Sequence, residues 1–172
     1  FSVGGRMQTY DLTKTSEIDR YVKDIGISGA KAKEVSEAIA AAGPDARDEA
    51  AQVAKAFLDA EQGKRTIERL VLSGHSVGEG VWGDSNGYFE YDMLEKLTKA
   101  FPKAAGQVED FLVAGCYSMS PEHVERYRGM FPNVKTAMAY LHSAPGTWTG
   151  AMVHNAKWEE LTRGHDPSKV NR

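Results

Sequence analysis

With 172 residues, 41% of them hydrophobic and 9% aromatic, the chain is long enough to bury one core and too apolar to be disordered or fibrous. A formal net charge of −3 supplies no cluster of Lys and Arg for a phosphate backbone, so nucleic acid is not expected as a partner. The single cysteine, Cys116, excludes an internal disulfide and any Cys-x-x-Cys motif, and no apolar run approaches the roughly 20 residues of a membrane-spanning helix.

The composition therefore predicts one soluble domain over residues 1–172, with no membrane partner and no cofactor. Its compartment and oligomeric state are left open. Because the chain opens on Phe1 rather than Met, it is expected to be part of a longer precursor whose upstream segment, with any targeting signal, was cleaved off or left out.

In chain order, the run Met7-Gln8-Thr9-Tyr10 predicts a first strand over 6–12, and the Ala-rich stretch 28–42 predicts a helix stopped by Gly43-Pro44. Asp45 is expected to cap the next helix, which carries Ala50, Val53, Phe57 and Leu58 on one face and ends at Gly63. The apolar block Ile67, Leu70, Val71, Leu72 predicts a buried strand over 66–73, delivering Gly74-His75-Ser76 at its carboxyl end.

Between residues 81 and 91, Asn86-Gly87 amid aromatic flanks predicts a hairpin. Asp92 with Glu95 resembles a capping box opening a helix over 93–100, before Phe101-Pro102 breaks it. A second buried strand over 108–114 ends at Gly115-Cys116. Ser120-Pro121 starts a helix to about Met130, a third strand follows over 134–141, and a closing helix over 150–162. Alternating strands and helices predict an α/β fold with a mostly parallel sheet.

In open parallel sheets, functional residues gather outside the carboxyl ends of the strands, where this order brings both His75 and Cys116. A cysteine thiol titrates near ~8.5 and is mostly protonated at neutral pH, so a positioned imidazole is what makes it a competent nucleophile. Small neighbours Gly74, Ser76, Ala114 and Gly115 leave backbone N–H groups accessible for an oxyanion. The plain alternative is a core cysteine beside a loop histidine.

The order LVLSGHS, GVWGDSNGYFEY, DMLEKLTKAF, DFLVAGCYS resembles the caspase, legumain and gingipain group of cysteine peptidases, over residues 67–150. The segment AYLHSAPGTWTG resembles the strand and Pro-Gly turn lining their primary specificity pocket. The resemblance implies a caspase-like three-layer α/β/α sandwich and a thiol endopeptidase acting through an acyl-enzyme. In it His75 is the general acid/base and Cys116 the nucleophile. The backbone N–H groups of Ser76 and Cys116 are the oxyanion donors.

This chain departs from that pattern in three places. Ser76 stands where the group has Gly; Thr147-Trp148-Thr149 carries no arginine for an acidic P1 side chain; and Ala114 replaces the Asp of arginine-selecting relatives. A protein or peptide substrate with a neutral P1 residue is the expectation, with Ser143 and Trp148 as lining residues. The alternative for Trp148 is a core aromatic.

Two other readings compete. Gly74-His75-Ser76-Val77-Gly78 matches the Gly-x-Ser-x-Gly nucleophile elbow of α/β-hydrolases, which would make Ser76 an esterase nucleophile. An elbow needs a helix directly after the serine, and the glycines that follow argue for turns. A catalytically inactive binding module is the second. His123, His142, His154 and His165 lack metal-ligand spacing and are expected at the surface or at helix caps, so no metal is expected. Asp84-Ser85-Asn86-Gly87 lacks the remaining ligands of a calcium loop.

Overall fold

The structure, a computed structural model, describes residues 1–83, 87–146 and 148–162. It opens on two short antiparallel strands, β1 (Ser2–Val3) and β2 (Arg6–Met7). They are joined by Gly4 and Gly5 at φ +57° and +76°, a turn that side chains with a Cβ resist. The strand expected over 6–12 is thus only two residues long and pairs with β1, not with the main sheet. Beyond it the chain turns to pack Tyr10 on Tyr21, their rings 5.2 Å apart.

Tyr21 belongs to α1 (Thr15–Asp24), a helix not anticipated from the sequence, which buries Ile18, Tyr21 and Val22 on one face. It is followed by α2 (Gly29–Ala41), a 3-10 turn (Pro44–Ala46) and α3 (Arg47–Glu61). Asp45 lies inside that turn and caps nothing. Instead the α3 start is held by Arg47, whose guanidinium reaches the carbonyls of Leu12, Thr13 and Ala40 at 3.0 to 3.2 Å. One side chain thereby ties α3 to α2 and to the segment before α1.

The sheet that carries the site follows. After β3 (Arg69–Ser73) come the hairpin strands β4 (Gly80–Trp82) and β5 (Tyr88–Glu90), then α4 (Tyr91–Ala100) and the short α5 (Pro102–Ala105). Next are β6 (Asp110–Ala114), α6 (Pro121–Met130), β7 (Thr136–Met138) and α7 (Trp148–Thr162). The described residues thus form an α/β fold with seven α-helices and a three-stranded parallel sheet in the order β3-β6-β7. Asp92 and Glu95 make no capping box: both bind Arg126 of α6, Glu95 at 2.6 Å, because a guanidinium lies opposite.

Leu70 pairs with Phe111, and the Phe111 ring meets Tyr127 of α6 and then Phe131, each at 5.0 Å. One residue earlier the pleat points the other way. There Arg69 lies over Trp158 of α7 at 4.4 Å and pairs with Glu159 at 2.6 Å. The alternation therefore seats α6 and α7 against opposite faces. Central β6 is buried from Asp110 to Val113, but β3 stands at the end of the sheet and Val71 is 44% exposed. The buried strand expected there is an edge strand. No helix among the described residues is long and apolar enough to cross a membrane.

Candidate active site

At the end of β3 the Gly74 amide donates to the Ala114 carbonyl at 3.2 Å, carrying the ladder one step past Ser73. The next residue, His75, exchanges two backbone hydrogen bonds with Trp82 of β4, 2.8 and 3.0 Å long. Gly74 permits this reversal: a Cβ there would stand 2.8 Å from the Trp82 carbonyl oxygen. No helix follows Ser76. Its side chain is turned inward, the residue is 5% exposed, and its hydroxyl accepts from the Gly78 amide at 3.1 Å. Strand, serine and helix in immediate succession, the geometry a nucleophile elbow requires, are absent.

β6 ends one register position level with β3, Ala114 opposite Ser73. Gly115 and Cys116 follow, and Gly115 touches the other segment so closely that a Cβ would lie 2.7 Å from Cβ of Ser76. Tyr117, just after the cysteine, takes φ +54°, a left-handed conformation that costs a residue with a Cβ about 1–2 kcal/mol. Hydrogen bonds on both sides hold it there. Ser118 is fully buried and donates to the Gly115 carbonyl at 2.7 Å, while the Tyr117 amide donates to the His142 carbonyl at 2.9 Å.

His75 and Cys116 line one cleft of about 360 Å³, together with Trp82, Tyr140, Ala144 and Asn155. The imidazole is exposed, its ring 5.9 Å from that of Trp82. The thiol is free and half-buried, and its sulfur accepts from the Ala144 amide at 3.3 Å. The amides of Ser76 and Cys116 donate to no acceptor among the described residues. The thiol and the imidazole share the cleft, with unspent amides beside them on the adjacent strand ends, a set suited to acyl transfer, but buried Ser76 is not among the residues that line the cleft.

No Asp, Glu, Lys or Arg lines the cleft among the described residues. Of the two expected lining residues, Ser143 is exposed and lies outside the cleft wall, which its neighbours Ala144 and Pro145 form instead. The Trp148 side chain lies outside what is described, as do Thr147 and His165. Sequence reasoning missed Trp82, Tyr140 and Asn155. An aromatic on a hairpin arm beside the Gly74-His75 reversal was the available signal for Trp82, whereas nothing local marked the other two.

Tyr140 shares a 2.9 Å hydrogen bond with Nδ1 of His154, their rings stacked 5.7 Å apart. Burial pushes the Tyr140 phenol up from its ordinary value, which keeps it protonated in the working range. His154 is therefore engaged rather than a free surface histidine, and so is His123, whose Nε2 lies 2.6 Å from the Gly78 carbonyl oxygen. His142 is exposed. Among the described residues no group of three or more His, Cys, Asp and Glu could hold a metal ion. Comparison of the chain with protein-family models, curated proteins and solved structures gave no match.

Proposed function

We propose that the chain is a cysteine endopeptidase of the caspase-like type, built as a three-layer α/β/α sandwich and cleaving peptide bonds with a His75/Cys116 dyad. The observation that carries this reading is the arrival of His75 and Cys116 from level ends of adjacent parallel strands in one cleft. Sγ of Cys116 attacks the scissile carbonyl, and its proton passes through His75 to the leaving amine, which departs as the free amino product. The thioester that remains is opened by water; His75 takes a proton from it and the thiol is regenerated with release of the carboxylic acid. The amides of Ser76 and Cys116 are the donors to the oxyanion formed in each half.

The absence of Asp, Glu, Lys and Arg from the described lining of the cleft supports a neutral P1 side chain, because a charged one would find no ion-pair partner of fixed charge there. The inward hydroxyl of Ser76 and the strand that follows it weigh against an esterase.

The test is a pair of variants. Cys116→Ala and His75→Ala each abolish hydrolysis of peptides that the unaltered chain cleaves, while circular dichroism and thermal unfolding stay unchanged. Iodoacetamide labels Cys116 rapidly at neutral pH. Turnover that survives removal of the thiol ends the proposal, and so does a thiol that resists alkylation in the folded chain.

A further inference from the structure

Two loops carry the proposed oxyanion donors, Ser76 after β3 and Cys116 after β6, and one helix touches both. From the first turn of α6, His123 reaches the first loop at the Gly78 carbonyl, 2.6 Å from Nε2. A carbonyl only accepts, so Nε2 carries the hydrogen. One turn later Tyr127 reaches the second loop, its hydroxyl donating to the Ser118 carbonyl at 2.5 Å. The two rings stack 6.1 Å apart, and Tyr91 of α4 meets both edge-on at 6.0 and 5.6 Å. The loops also touch each other here: a Cβ on Gly78 would lie 3.2 Å from the Tyr117 carbonyl oxygen.

Packing alone does not account for a histidine at this position. Nδ1 of His123 is buried with no hydrogen-bond partner among the described residues, a cost that a phenyl ring would avoid. The hydrogen bond to Gly78 is what the imidazole adds. Resting on the peptidase reading above, we infer that His123 and Tyr127 are positioning residues that fix the spacing between the Ser76 and Cys116 amides. They set the oxyanion geometry without touching substrate.

The test compares His123→Phe, His123→Gln and Tyr127→Phe with the unaltered chain on one cleaved peptide. His123→Phe keeps the ring and loses the donor. It lowers kcat roughly 10–100-fold with KM nearly unchanged, as displacement of an oxyanion donor does. Affinity for a peptide aldehyde, whose adduct with the thiol carries the same oxyanion, falls in proportion. The iodoacetamide rate at Cys116 stays constant, since alkylation forms no oxyanion. His123→Gln, which keeps an N–H donor, recovers most of kcat.

Undiminished kcat in a folded His123→Phe overturns the inference, and so does an alkylation rate that falls with kcat, which would assign the effect to the thiol. If His123→Phe does not fold, Tyr127→Phe decides on the same readouts, because it keeps its ring and loses only the bonds of its hydroxyl. A chain that cleaves no peptide before any substitution sinks the peptidase reading and this inference with it; an active chain with undiminished variants sinks the inference alone.

Discussion

The segment after β6 is stitched to itself and to its neighbour in the sheet: Ser118 bonds back to Gly115, and the amides of Tyr117 and Met119 pair with the carbonyls of His142 and Tyr140. The segment after β3 is held largely from outside, by the backbone of Trp82 on one side and the His123 ring on the other, with one internal bond from the Gly78 amide to Ser76. The difference teaches where each half of the site is vulnerable. The proposed nucleophile is sensitive mainly to changes within its own loop, with Tyr127 of α6 as its one side-chain tie to a distant helix among the described residues. The proposed acid/base is sensitive to changes in β4, a few residues on, and in α6, distant in sequence.

The widest breach of this contrast comes from Gly115→Ala, because it strikes where the two segments meet. Its Cβ would sit 2.7 Å from Cβ of Ser76 and 3.3 Å from the Gly74 carbonyl oxygen, neither of which is the free end of a flexible side chain. We expect a loss of about 3 kcal/mol in urea unfolding, as overpacking of a dry site costs, with peptide turnover falling alongside. Normal stability and turnover would show that the segments have room between them.

Ser118→Ala comes next. It leaves the Gly115 carbonyl and the Tyr140 amide, 3.3 Å from Ser118 Oγ, without that partner, at a cost of about 1–2 kcal/mol. An unchanged denaturation midpoint would mean that the cysteine loop is not internally stitched.

The smallest effect is expected at Ser76→Ala, where only the Gly78 amide loses a partner, costing about 0.5–1.5 kcal/mol. Peptide turnover stays within about tenfold of the unaltered chain, whereas a serine nucleophile removed in this way costs several orders of magnitude. Parallel assays on peptide and ester substrates separate the outcomes. Loss of all turnover here, with Cys116 dispensable, would transfer the chemistry to the serine.

What was legible in the sequence follows from how local each signal is. The α6 boundaries were readable because Ser120 and Pro121 act within one turn, and Ser120 Oγ does accept from the His123 amide at 3.2 Å. Strand β6 was readable because an apolar run between turn residues is buried on both faces. Helix α1 went unread although Ile18, Tyr21 and Val22 stand at i, i+3 and i+4 among charged residues, because no cap residue announces its start. Asp92 and Glu95 had the spacing of a capping box, and only the arrival of Arg126 from another helix assigns them elsewhere.

Within the site, the residues at strand ends were legible and the walls were not. Ser143 was expected to line the cleft by its place next to the Pro-Gly turn, but side-chain direction in an irregular segment has no period to read. Tyr140 and Asn155 come from β7's continuation and from α7, brought together by chain closure alone. His123 had no motif at all; its contact is with a carbonyl 45 positions away.

The exposed flank of β3 bears on how the molecule behaves at high concentration. An unpaired strand edge is a template on which a second chain can add, and a run of free amides and carbonyls several residues long is what such addition needs. Here the strand is five residues long; Arg69 at one end is drawn under α7 by Trp158 and Glu159, and just past the other end His75 is already paired to β4. Only the stretch from Leu70 to Leu72 presents a clear flank, too short to hold another strand against its loss of freedom. The same fold-back that pairs His75 with Trp82 thus also shortens the edge that β3 offers to another strand.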